Sequence, residues 1–367
     1  MKKDKLKIAM LGHKRIPGRE GGVEVVVEEL TTRMAQLGHE VTAYNRSKKG
    51  VKVVKNYKDV RIITVPTIEH KNTDAVIYSL FASIHALFGG YDVIHYHAIG
   101  PSVMLIIPHL FGKRTVVTVH GLNYKTPKWK GFAAKYIQLG EQITAKYADE
   151  IITLSKEQQR YFKEKYNRDT TFIPNGTIIR PACDPEQIRE KWGLGHKNYI
   201  LFLSRVVPGK GLETLIEAYK QIDTEMPLII AGDSEFVSDF RQKMFEMAED
   251  DKRIRFIGFV EGKTLEELYS NAKLFVFPSE AEGMPMCLLE ALSYNTSCLV
   301  SNIPENVDVG DEYVQTFEVG NADDLREKLE KCLQKEAELF DKNSTNYVIE
   351  NYDWDSVVRQ TINTYEG

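Results

Sequence analysis

At 367 residues the chain exceeds what one hydrophobic core usually organises, so two domains are expected. An apolar share of 43% beside 27% charged residues excludes a mostly disordered chain, and no apolar run approaches the roughly eighteen residues a membrane-spanning helix needs. The net charge of −4 hides a split: residues 1–180 hold 29 Lys and Arg against 16 Asp and Glu (+13), and residues 181–367 hold 19 against 36 (−17).

In chain order, Leu6–Leu11, Val41–Tyr44, Arg61–Val65, Val93–Tyr96, Thr115–Val119, Glu150–Thr153 and Thr171–Ile173 read as strands. Helical patterns fall between them at Gly22–Gln36, Asp74–Phe88, Trp129–Tyr147 and Lys156–Tyr166. Strands that run apolar without alternation, separated by helices, are parallel strands covered on both faces. Pro174-Asn175-Gly176 closes the series as a turn, and Pro181 and Pro185 flank an irregular linker. The series restarts with strands at Tyr199–Leu203, Leu228–Ala231, Ile254–Phe256, Leu274–Phe277 and Cys298–Val300. Its helices fit Leu212–Gln221, Phe236–Ala248, Thr264–Asn271, Cys287–Tyr294 and Ala322–Lys335. The fold class is therefore α/β: two doubly wound domains facing a cleft, residues 1–180 and 181–352, with 353–367 returning to the first. Ligands in such sheets sit beyond the C-terminal strand ends.

The N-terminal Met1-Lys2-Lys3-Asp4-Lys5 leads into the first strand without a signal-like apolar stretch, so a cytoplasmic location is expected. Cys183, Cys287, Cys298 and Cys332 lie far apart, without zinc or redox spacing, and read as reduced thiols. The charge split points to domains with different partners: the basic half suits an anionic membrane or ligand, and nothing resembles a nucleic-acid-binding module.

The loop Gly12-His13-Lys14-Arg15 through Gly21-Gly22 follows the first strand and opens a helix. A glycine pair there lets backbone N–H groups face an anion at the helix N-terminus, or simply caps the helix. In the second half, Ser204-Arg205 leaves a strand and Pro208-Gly209-Lys210-Gly211 precedes a helix. A guanidinium, an ammonium and a helix dipole at one strand end suit a diphosphate. The Walker pattern is absent, which argues against an ATPase. Downstream, Glu282 follows a strand and Glu290 sits eight residues on, inside an otherwise apolar helix where a carboxylate needs a partner. Such a pair suits sugar and ribose hydroxyls.

Arg205 with Lys210, the Glu282-x7-Glu290 pair, Gly12 with Gly21-Gly22, and Thr118-Val119-His120-Gly121 together resemble the family 4 retaining glycosyltransferases of the GT-B fold. The resemblance covers essentially the whole length, and Gly12 to Glu29 looks further like bacterial polysaccharide glycosyltransferases that include rhamnosyltransferases. It implies that Arg205 and Lys210 bind the donor diphosphate, Glu282 the sugar hydroxyls and Glu290 the ribose. His120 would lie near the reacting centre, Gly21 and Gly22 near the phosphates, and Gly258-Phe259-Val260 against the nucleobase. Where many members have Gly-Phe-Gly after the first glutamate, this chain has Gly283-Met284-Pro285. Pro285 has no N–H, so a phosphate contact falls to neighbouring amides, Met286 among them.

The implied activity is metal-independent transfer of a hexose, with retention, from a nucleotide-diphosphate-sugar (UDP- or dTDP-sugar favoured). The implied acceptor is a polyprenyl-diphosphate-linked saccharide in cell-surface polysaccharide synthesis. No cofactor is expected, and Asp353-Trp354-Asp355 reads as a helix start rather than a metal motif. His97 reads either as lining the acceptor side or as a core histidine. Lys125, Lys128, Trp129, Lys130 and Lys135 interleave with Phe132 and Tyr136 and suit an anionic membrane surface, or a solvated helix face. A nucleotide-sugar epimerase, transfer to a soluble acceptor and a non-catalytic nucleotide-sugar binding module are the alternatives.

Overall fold

The computed structural model describes residues 5–18, 21–68, 73–122, 131–233, 238–334 and 343–366, apart from the side chains of Phe132 and Ser238. The chain divides into two compact units, Met1–Gly176 with Trp354–Gly367, and Thr177–Asp353.

Unit 1 holds β1 (Lys7–Leu11), β2 (Glu40–Arg46), β3 (Asn56–Tyr57), β4 (Val60–Val65), β5 (Val93–His97), β6 (Arg114–Val119), β7 (Glu150–Thr153) and β8 (Thr171–Phe172). Their order is β3-β4-β2-β1-β5-β6-β7-β8. Every pairing is parallel except the β3–β4 hairpin. Residues 8–11 of β1 are fully enclosed, which is why that strand reads as a continuous apolar run. The chain winds outward from β1 through β2 to β4, then crosses to the other side of β1 to lay down β5. The β1–β5 junction is thus the topological switch point of this sheet.

Helix Trp354–Glu366 belongs to unit 1 although 177 residues of unit 2 precede it. Trp354, Val357, Val358, Thr361 and Tyr365 form its buried face, with the i, i+3, i+4, i+7 spacing of an amphipathic helix. Arg33 Nη1 reaches Asp355 Oδ1 at 2.6 Å and Arg114 Nη2 donates to Thr364 O at 2.6 Å, fixing both ends.

Unit 2 holds β9 (Ile200–Leu203), β10 (Leu228–Ala231), β11 (Ile254–Gly258), β12 (Leu274–Phe277), β13 (Cys298–Ser301) and β14 (Val314–Phe317). The order is β11-β10-β9-β12-β13-β14, all parallel, with the switch point between β9 and β12. Its core packs Phe202, Ile230 and Val276 of the sheet with Leu215 and Tyr219 of helix Leu212–Lys220 and Leu325 and Leu329 of helix Ala322–Gln334.

Most expected elements form within a residue or two of their expected limits. Sequence reading missed β3, β14 and the helices Gln187–Trp192, Pro304–Gly310 and Ser344–Asn351. It also missed the 3-10 turn Pro101–Leu105 that runs into helix Ile106–Leu110. None of the four cysteines is bridged. Among the described residues, no helix is long and apolar enough to cross a membrane.

Candidate active site

In unit 2 the switch point is built from two loops that touch through backbone. The loop after β9 ends in Gly209, Lys210 and Gly211, and Gly211 lies so close to the loop after β12 that a Cβ there would meet Pro278 O at 1.9 Å. Its φ of +68° independently favours glycine. Glu280 N–H donates to Gly209 O at 3.0 Å, locking the two loops together. Ser301 Oγ donates to Ser279 O at 2.5 Å, and Asn306 Nδ2 holds Ser301, so the floor of the junction is rigid.

This packing brings Lys210 and Glu282, 72 positions apart, into an ion pair. Lys210 Nζ donates to Glu282 Oε1 at 2.5 Å, and Ser279 Oγ donates to the same oxygen at 2.6 Å. The side chains are only 15% and 10% exposed, and Nζ also sits 5.9 Å from the centre of the Phe277 ring. Both partners were expected at the site, but on different parts of a donor; their direct pairing was not. Arg205, one residue beyond Ser204 at the end of β9, is exposed and makes no ion pair among the described residues.

Glu290 occupies helix Met286–Ser293, half-buried, and accepts from Tyr269 Oη at 3.0 Å. Burial and the adjacent Glu290 carboxylate push the Tyr269 hydroxyl well above its ordinary pKa, and burial raises the Cys287 thiol to about 12. Both therefore stay protonated donors beside Glu290. At the start of this helix Pro285 lacks an N–H and the Met286 N–H closes a turn on Met284 O at 3.0 Å. Met286 thus directs its amide into the turn, and Met284 is buried. Gly283 is half-buried beside Glu282.

Gly258 ends β11 with φ +74°, Phe259 is exposed and Val260 half-buried. Gly232, after β10, donates to Gly258 O at 2.8 Å and would clash with Ser204 O if it carried a Cβ. The loops after β9, β10, β11 and β12 are therefore gathered at one sheet edge.

In unit 1 the switch point is as tight. Gly12 has φ +103°, and a Cβ there would lie 2.1 Å from His97 O. The following loop is clamped by Asn45 at the end of β2, a residue that sequence reading passed over. Its Oδ1 accepts from the Ile16 N–H at 3.0 Å and bonds His13 Nε2 at 3.1 Å, while Nδ2 donates to Ile16 O at 2.8 Å. Gly21 precedes helix Gly22–Gln36 in extended conformation. The first turn of that helix already holds a buried carboxylate, because Glu24 Oε1 accepts the Lys14 N–H at 2.9 Å.

His97 is fully buried and closes β5 instead of following it. Its Nδ1 is 3.0 Å from His120 Nε2, just past the end of β6. His95 stacks on it at 4.3 Å and bonds Tyr365 Oη at 2.7 Å and Thr118 Oγ1 at 2.8 Å. Burial lowers His13 and His120 to about 4 and His95 to about 3, and holds His97 well below the ordinary imidazole value. The cluster is neutral at physiological pH, and His13 Nδ1 and His97 Nε2 are buried without a hydrogen-bond partner among the described residues.

Of the basic segment, Lys135 is exposed on helix Phe132–Tyr147. Lys125, Lys128, Trp129 and Lys130 lie outside the described residues.

Residues 184–354 match the family described as glycosyl transferases group 1, and residues 20–179 match glycosyltransferase family 4. The chain belongs to these glycosyltransferases. The enzyme is 24% identical to a glycosyltransferase of Methanocaldococcus jannaschii, over 98% of both chains. It is 30% identical to the UDP-Gal:alpha-D-GlcNAc-diphosphoundecaprenol alpha-1,3-galactosyltransferase of Escherichia coli, over 59% of each chain. The Anabaena HepE structure in complex with UDP and glucose superposes with a TM-score of 0.81 at 17% identity, covering 98% of this chain and 99% of that one. That likeness carries the fold, GT-B, which this glycosyltransferase shares.

Proposed function

We propose that the enzyme transfers a hexosyl group, with retention and without a metal, from a nucleotide-diphosphate-sugar to a lipid-linked saccharide at the cytoplasmic face of a membrane. The product would be a precursor of cell-surface polysaccharide. UDP- and dTDP-sugars are the favoured donors. The observation that carries the reading is the Lys210–Glu282–Ser279 junction at the β9–β12 switch point, with exposed Arg205 at the end of β9. The Escherichia coli relative, whose name specifies a UDP-sugar and a diphosphoundecaprenol acceptor, supports both partners.

In this reading Arg205 and Lys210 meet the diphosphate, Glu282 the sugar hydroxyls and Glu290 the ribose, with unit 2 as the donor unit and unit 1 as the acceptor unit. The anomeric carbon–oxygen bond breaks and its electron pair goes to the diphosphate. The acceptor oxygen bonds to that carbon on the same face and passes its proton to the departing phosphate oxygen. Fixed cations placed where the leaving group gains charge lower the barrier without reorganising, usually the largest catalytic term. Glu282 contributes through its second oxygen: Oε1 is taken by Lys210 and Ser279, while Oε2 makes no hydrogen bond among the described residues.

The test is nucleoside-diphosphate release from a panel of UDP-, dTDP- and GDP-sugars, with and without polyprenyl-diphosphate-linked saccharides. Release that needs both substrates and survives EDTA is expected. Donor conversion without acceptor would mean an epimerase, and loss of turnover in EDTA with recovery in Mn²⁺ or Mg²⁺ would overturn metal independence.

A further inference from the structure

Between Asp74 and Lys113 the sequence has a single charged residue, Asp92, in a chain where more than a quarter of residues are charged. Burial of β5 in the sheet accounts for only part of this. Helix Asp74–Leu87 and helix Ile106–Leu110 pack on each other at the surface of unit 1 and leave large apolar side chains outside. Phe88, at the end of the first, is 81% exposed. Leu110 and Phe111, at the end of the second, are 73% and 69% exposed. Both ends run into glycines, Gly89-Gly90 and Gly112, so the apolar tips stand clear of neighbouring side chains. Single exposed apolar residues need no explanation, but an adjoining set on an uncharged surface marks an interaction site.

The border of this surface is basic. Helix Phe132–Tyr147 packs on the Pro101–Leu105 turn so closely that a Cβ on Gly140 would lie 2.2 Å from Ile99 O. It presents Lys135, Leu139 and Lys146 outward, spaced for one helix face. Lys146 Nζ lies 4.9 Å from the centre of the Tyr147 ring, and that ring lies 5.5 Å from His109 of the apolar surface. Lys113 adjoins it directly after Gly112.

We propose that this face of unit 1 docks on an anionic bilayer, with Phe88, Leu110 and Phe111 entering the boundary between headgroups and acyl chains and Lys113, Lys135 and Lys146 meeting lipid phosphates. Apolar insertion with a lysine border is how an interfacial element holds a membrane without spanning it. A second copy of the chain is the competing occupant, but pairing this face with itself would set two basic borders together, on a half of the chain that is already +13. An anionic surface neutralises that border. The inference rests on the lipid-linked acceptor reading and says which face of unit 1 meets the bilayer that holds such a lipid.

The experiment is co-sedimentation of the full chain with phosphatidylglycerol-containing and pure phosphatidylcholine vesicles at low and high salt. The comparison is a Phe88→Ser, Leu110→Ser, Phe111→Ser triple variant. All three positions are exposed, so the thermal midpoint should hold. Wild type should favour the anionic vesicles and leave them as salt rises, and the triple variant should bind at least tenfold more weakly. Lys135→Ser with Lys146→Ser should weaken anionic binding and flatten its salt dependence. Unchanged binding by the triple variant, no wild-type binding at low salt, or a wild-type dimer that the triple variant converts to monomer would each overturn the surface. Nucleotide release with a detergent-solubilised acceptor separates the two readings. Transfer without vesicle binding removes only the docking surface, and vesicle binding without transfer removes only the acceptor reading.

Discussion

Lys210 carries two obligations, because the ammonium that would face a diphosphate already neutralises Glu282 in a nearly enclosed junction. Removing one member of such a pair strands the other's charge away from water, a larger cost than losing an exposed pair. Arg205 has no such partner among the described residues and stands in solvent. The two cations should therefore separate by experiment. Lys210→Ala and Arg205→Ala should each lower kcat/KM at least tenfold, since a charge-assisted bond is worth roughly 1.5–3 kcal/mol. Only Lys210→Ala should also lower the melting temperature; equal melting temperatures would mean that the pair contributes nothing to folding. Glu282→Gln should impair turnover more than it impairs binding of the free nucleotide, and equal damage to both would reverse the roles given to Glu282 and Glu290. His120 yields a pH prediction. Held at about 4 by burial, it is neutral throughout the range where an ordinary imidazole titrates. kcat/KM measured from pH 8 to pH 5.5 should show no acid limb near 6.5 from this residue, and a His120-dependent limb there would contradict its neutral state.

Elements place these residues, and how much of that could be read in advance depended on whether the signal was local. The strands β10 and β12 are legible because full burial makes them unbroken apolar runs, and β1 carries one from Ile8 to Leu11. The strand β14, Val314–Phe317, escaped because it lies at the sheet edge, is only partly buried and interrupts its apolar residues with Gln315 and Thr316. β3 is two residues long, too short for any periodicity. Lys210, Glu282 and His120 are each legible as residues at strand ends. The Lys210–Glu282 pairing, the Asn45 clamp and the histidine stack are not, because each joins positions that only the strand order brings together. What sequence does announce is where backbone must come close, through glycine. Gly211→Ala combines an unfavourable positive φ with a backbone oxygen 1.9 Å from the new methyl group. It should destabilise unit 2 by more than the roughly 1 kcal/mol of an ordinary φ penalty and lower kcat/KM by displacing Lys210. Gly209→Ala, with φ +85° and nothing within 4 Å, should cost only the φ term. Urea titration of both variants checks the ordering, and equal losses would mean that the loops after β9 and β12 can move apart.

For the molecule as a whole, the buried histidines make stability depend on acid. His13, His95, His97 and His120 have folded pKa values below the unfolded value of 6.5, so the unfolded chain takes up protons first as pH falls. Their contribution is complete above pH 6.5 and declines as pH drops toward their folded values, by about 1.4 kcal/mol per pH unit for each histidine that protonates only on unfolding. Unfolding free energies in urea at pH 7, 6, 5.5 and 5 should fall with that sign, and His95→Gln should reduce the slope by about one proton. A flat profile between pH 6.5 and 5 would mean that the cluster protonates in place. One member of the cluster is tied to distant sequence: His95 bonds Tyr365, on the helix that starts at Trp354. During translation this makes the order of synthesis differ from the order of completion. Residues 1–176 leave the ribosome first, yet the groove for Trp354 and the partner of His95 stay unfilled until residues 354–366 have also emerged. Unit 2 is contiguous and waits for nothing, so it can close first. A released chain truncated after residue 353 should therefore expose unit 1 to protease while unit 2 resists.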